Sequence, residues 1–158
     1  MARESAARLS ALASVAGAWS RSELRRVAVL AAIAAAQEER DELTLLIVHA
    51  DQLEARLRDI GQPDDVVLPF DELAGDLWLQ LHRFEDAKGR YERSVRRWPE
   101  RTRAWLGLAR AARDLGAAGD ARDAAQQVIT LWAGSPALEA VEAEMRPLVD
   151  GPGAGPRR

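Results

Sequence analysis

Residues 68–136 carry small and large apolar residues that recur at an offset of 34, and this recurrence limits the fold more than any other feature of the chain. Residues 70–82 read as a helix, with Leu73, Leu77, Trp78 and Leu81 at steps of three and four on one side. Residues 83–98 read as a second helix, because Phe84, Ala87, Tyr91, Val95 and Trp98 share a face that can pack back on the first. Pro69 and Pro99 bracket the pair, since proline lacks an amide hydrogen and disfavours helix just before it. Asp71 is placed to cap the first helix. Residues 101–116 restart the pattern: Ala109 stands 34 after Gly75, and Leu115 stands 34 after Leu81. Trp105, Leu108, Ala109 and Ala112 line one face there. Past the AAGD stretch at 117–120 the offset becomes 37, pairing Ala124 with Ala87, Val128 with Tyr91 and Pro136 with Pro99. The expectation is a short insertion in the turn, which lengthens a loop cheaply and leaves helix faces intact.

Those positions resemble the tetratricopeptide repeat, whose 34-residue pattern sets a tryptophan, a small residue, an aromatic, an alanine and a closing proline at fixed places. Gly75, Trp78, Ala87, Tyr91, Ser94 and Pro99 match in the first unit. Trp105, Leu108, Ala109, Ala124, Val128 and Pro136 match in the second. The chain departs from the pattern at Asp71, in the tryptophan place, and at Ala112, in the place of the first helix's aromatic. The stretch is also similar to the C-terminal repeats of a bacterial subgroup of these proteins. The resemblance implies an all-α chain of antiparallel helical hairpins in a short right-handed solenoid, acting as a non-catalytic scaffold or peptide-binding module. An unrelated pair of helical hairpins is the alternative.

The N-terminal third shows no repeat signature. Residues 2–18 read as a first helix loosened at Gly17, with Ser20 and Glu23 spaced as a capping box for the next. Residues 22–60 contain neither Pro nor Gly, and two helices broken near 37–42 are expected, with Asp41 as the cap. The organisation expected is N-terminal helices over 1–61, as a divergent hairpin or cap, then a connector at 62–69. Two repeat-like hairpins plus a capping helix follow over 70–147, with a flexible tail at 148–158. In the connector, Val66, Val67 and Leu68 would pack across helices or form a short strand. The final helix is expected to stop at Pro147.

Composition narrows the function. A net charge of −3, with 30% charged residues, exerts no long-range pull on nucleic acid or an anionic membrane. The absence of cysteine excludes disulfides, thiolate nucleophiles and cysteine metal sites, and suits a cytoplasmic location. The apolar run at residues 9–19 follows two arginines, but Glu4 spoils it as a secretory leader. No catalytic, cofactor-binding or metal-binding residue set is found. His49 reads as a partly buried hydrogen-bonding residue, His82 as a helix-end residue near terminal carbonyls, and Arg93, Arg96 and Arg97 as exterior cations.

In a curved stack of hairpins the first helix of each pair lines the inside. Glu72, Asp76 and Gln80 then form an acidic or polar strip, with Arg103, Arg110 and Arg113 as a basic strip beside it. These six are the expected partner-binding residues. The ligand would be an unidentified protein or peptide with charges of both signs, or a carboxylate held by the arginines. Homodimerisation through the N-terminal helices, with no groove ligand, is the alternative.

Overall fold

The computed structural model describes residues 2–61 and 69–151. Among these there are seven helices and no strand: α1 (Ala2–Ala36), α2 (Arg40–Asp59), α3 (Phe70–Gln80), α4 (Phe84–Arg97), α5 (Thr102–Leu115), α6 (Ala118–Leu131) and α7 (Pro136–Asp150). The chain divides into two compact units, residues 1–70 and 71–158. The packing expected of Val66–Leu68 and the flexibility expected of the tail from 152 onward concern residues outside those described.

In the first unit α1 and α2 form one antiparallel hairpin. Leu24, Val27, Ala31 and Ala34 close against Leu43, Ile47, Ala50, Leu53 and Leu57, all buried. The interruption expected within 22–60 falls at Gln37–Glu39. Three sequence expectations are corrected. Gly17 does not end a helix; it is buried within α1, because one glycine costs only about 1 kcal/mol inside an otherwise favourable helix. Ser20 is likewise buried mid-helix, and Glu23 bonds Arg26 instead of a free amide. Residue Glu39, and not Asp41, stands at the start of α2.

Each hairpin turns by the same device. His82 N donates to Leu79 O and Arg83 N to Trp78 O; Gly116 N donates to Arg113 O and Ala117 N to Ala112 O. Glu38 N and Glu39 N do the same at the end of α1, reaching Ala35 O and Ala34 O. This paired closure satisfies terminal carbonyls and requires one left-handed residue. That residue is Gly116 (φ 81°) in the third hairpin, but His82 (φ 55°) and Glu38 (φ 60°) in the others. A side chain is disfavoured there, so His82→Gly is expected to raise stability by about 0.5–1 kcal/mol, read as a higher urea midpoint.

The second unit keeps one ruler throughout. The helix α6 begins and ends 34 residues after α4, and α7 begins 34 after α5. The insertion expected at 117–120 is therefore absent: Ala118 already opens α6. In the true register Ala121 takes the place of Ala87, Ala125 that of Tyr91 and Val128 that of Ser94, all buried. Buried alanines at 121, 124 and 125 made a slip of one short turn invisible to pattern matching, because residues three apart share a helix face. Pro136 does not close α6. It opens α7 behind Ser135, whose hydroxyl accepts from Ala137 N at 3.2 Å. At the other end α7 runs through Pro147 to Asp150; Pro147 is itself exposed and lies in the last turn, where one lost backbone bond is tolerable.

Tyr91 is the keystone between repeats. It is fully buried, and its ring lies against Gly75 of α3 and Gly107 of α5. A Cβ on either glycine would stand 2.7 Å or 2.3 Å from ring atoms. Absence of a side chain at both positions is what lets a tyrosine fill the junction. Trp78 is buried beneath the Arg83 guanidinium, whose carbon is 5.4 Å from the ring centroid. Trp105 is only half-buried, and its indole N–H donates to Pro99 O at 2.7 Å, tying the connection between hairpins to α5.

Candidate protein-binding cleft

The second unit turns one face of α3 and α5 toward a shallow cleft of about 340 Å³. Its apolar surface comes from Leu79, Leu106, Gly107 and Trp132, and its polar edge from Asp76, Arg103, Arg110 and the Tyr91 hydroxyl. Trp132 arrives because it follows α6, 34 residues after Trp98, which occupies the equivalent place after α4.

The charges at this edge bridge α3 to α5, the first helices of the two hairpins, and α5 to the final helix α7. Asp76 accepts from the Tyr91 hydroxyl at 2.5 Å and from Arg103 Nη2 at 2.6 Å. Burial, reinforced by the Asp76 carboxylate, holds the Tyr91 phenol well above its ordinary range. Tyr91 thus remains a donor to Asp76 throughout the neutral range. Glu144 of α7 accepts from Arg110 Nε at 3.0 Å and Nη2 at 2.8 Å, and from Arg113 Nη1 at 2.8 Å. The Arg110 hydrogen bonds, followed by its charge and then by Arg113, hold the Glu144 carboxyl below the usual range despite partial burial. Arg113 also bonds its neighbour Asp114 at 2.6 Å.

Of the six residues singled out in the sequence, Asp76, Arg103 and Arg110 come together at the cleft. Arg113 lies one helical turn beyond Arg110 and shares its partner Glu144. Gln80 is exposed at the last position of α3 and is not among the residues lining the cleft. Glu72 departs from the expected open strip: it is 2% exposed and held between helices. Its Oε1 accepts from Ser94 Oγ at 3.2 Å, and its two oxygens take the Arg101 guanidinium from Nε and, at 3.1 Å, from Nη2. Arg103, Arg110 and Arg113 each hold a carboxylate of this chain, Asp76 for the first and Glu144 for the other two.

Sequence reasoning missed Leu79, Leu106, Trp132 and Glu144. The ruler carried a signal for the last: Asp76, Arg110 and Glu144 occupy one repeat position, 34 apart, with alternating sign. Asp71, read as a cap, is instead buried and accepts from Arg90 at 3.2 Å and Arg93 at 2.5 Å, fastening α3 to α4. Arg93 therefore belongs to the packing of the hairpin. Arg97 lies over the Trp98 ring at 4.9 Å. His49 is 41% exposed and faces Glu23 at 3.5 Å. Among the described residues no three histidines or carboxylates gather as a metal site.

Successive antiparallel hairpins in one 34-residue register, with the first helices lining a cleft, define a helical-repeat array of the kind used for recognition. Residues 73–136 match the family model of the tetratricopeptide repeat. The repeats of this family generally mediate protein–protein interaction or scaffolding, and the family is typically non-catalytic. No curated protein and no solved structure matches the chain.

Proposed function

We propose that the protein is a non-catalytic interaction module that holds a segment of a partner protein in the cleft between α3 and α5. The observation that carries this reading is the cleft's make-up: an apolar floor of Leu79, Leu106 and Trp132 beside charges that are already matched. An edge so neutralised favours a partner with an apolar side chain for the floor and polar groups for the rim, over one recognised by net charge alone. Arg103 is 65% exposed and is the rim cation best placed to exchange Asp76 for a partner's oxygen. Self-association without a groove ligand is the competing reading, and it offers no role for this cleft. None of the described helices is long and apolar enough to cross a membrane, and a cytoplasmic setting fits the cysteine-free composition.

The partner is to be captured from the source cells, and its affinity measured by calorimetry. Arg103→Ala and Leu79→Ser should each weaken binding at least tenfold, a loss of about 1.4 kcal/mol, with helicity unchanged. The triple change at Arg103, Arg110 and Arg113 should weaken it further. Full affinity in Arg103→Ala and Leu79→Ser, both folded, would remove the cleft from the binding surface.

A further inference from the structure

The first unit has a second apolar face that α2 does not cover. On the outside of α1, Leu12, Val15, Trp19, Val29 and Ile33 are 67%, 69%, 58%, 61% and 47% exposed. With Ser22, Arg26 and Ala36 they follow one another at alternating steps of three and four, the spacing of a coiled-coil seam. The helix α1 has 35 residues against 20 in α2, so α2 runs out near Gly17. Among the described side chains before Gly17, every one is exposed. That overhang is about 15 residues and some 22 Å long.

We infer that this face is covered by the same face of a second copy, running antiparallel. The order of residues along the seam argues for it. Read inward from both ends, Leu12 meets Ala36, Val15 meets Ile33, Trp19 meets Val29 and Ser22 meets Arg26, so apolar faces apolar and polar faces polar. A two-fold axis requires that kind of reciprocity, with one patch complementary to itself. Antiparallel pairing sets Arg26 opposite Ser22, whereas parallel pairing would set Arg26 against its own counterpart. The Arg26 charge is already matched by Glu23, which accepts from it at 2.9 Å and 2.6 Å. Alanines 11, 16, 18 and 32 flank the seam and are exposed, small enough for two helices to approach closely. The pairing lays residues 12–16, the inner part of each overhang, along the C-terminal end of its mate's α1, which closes at Ala36, and it uses none of the cleft residues.

The full chain is tested by sedimentation equilibrium, where the expected mass is twice 17.3 kDa. The double variant Trp19→Glu with Val29→Glu should sediment at 17.3 kDa while the second unit melts unchanged. A chain of 17.3 kDa at every soluble concentration overturns the proposal, as does a dimer that survives both glutamates. Because the protein has no cysteine, direction is read separately. Oxidation should cross-link the double variant Val15→Cys with Ile33→Cys and leave either single variant uncrosslinked. Cross-linking of Val15→Cys alone would show a parallel pair and overturn the antiparallel assignment. Arg103→Ala should remain dimeric, so loss of partner binding and loss of self-association are distinguishable.

Discussion

Tyr91→Ala is expected to cost about 3–5 kcal/mol, the range for emptying the site of a large buried aromatic. The tyrosine is fully buried and touches both repeats, so its removal opens a void that neither Gly75 nor Gly107 can fill. It also takes the hydroxyl from Asp76. The glycine opposite supplies a sharper version of the test. Alanine ordinarily stabilises a helix interior over glycine by about 1 kcal/mol. At Gly107 the new methyl would sit 2.3 Å from the Tyr91 ring, so overpacking of about 1–3 kcal/mol should win and the net change should be destabilising. In the Tyr91→Ala background the obstacle is gone, and Gly107→Ala should stabilise. Urea unfolding of the four proteins, followed by circular dichroism, closes the cycle. If Gly107→Ala has the same sign in both backgrounds, the tyrosine is not what requires glycine there.

That junction was half legible in the sequence. Tyr91 stood out as a large residue on the apolar face of its helix, and Gly75 as a small residue at a repeat position. Nothing in one helix's periodicity says which neighbour its aromatic will meet. The role of Gly107 was accordingly invisible, because it lies in the next hairpin, 16 residues beyond Tyr91. Helix existence was read well where apolar spacing was strong, as in residues 70–82 and 40–60. Register was misread where alanine replaced larger residues in α6, since alanines three and four apart mark a face without distinguishing its turns.

The charged residues show a different limit. Spacing on α5 grouped Arg103, Arg110 and Arg113, but their partners Asp76 and Glu144 lie on other helices, 27 to 34 residues away. Periodicity also could not separate Glu72 from Asp76. They are one turn apart on α3, and a rotation of about 40° moves a side chain from a helix's inner face to its contact with a neighbour. Asp76 fell on the cleft side and Glu72 on the packing side.

Glu72→Ala should therefore act on stability and not on recognition, at a cost of about 3 kcal/mol. The Glu72 side chain is 3% exposed and joins Ser94 of α4 to Arg101 ahead of α5. Truncation leaves the fully buried Ser94 hydroxyl without that acceptor. It also strips Arg101 of its two-pronged partner. Arg101 is 22% exposed and can turn part of its guanidinium to water, which keeps the loss at the low end for a broken buried pair. Glu72→Gln should cost less, because it retains an acceptor for Ser94. Glu72→Leu combined with Arg101→Met should also cost less than Glu72→Ala, since neither charge then remains to be matched. Partner affinity measured well below each variant's melting transition should stay at the wild-type value. A folded Glu72→Gln protein that has lost its partner would instead return this carboxylate to the binding surface and break the division between packing and cleft on α3.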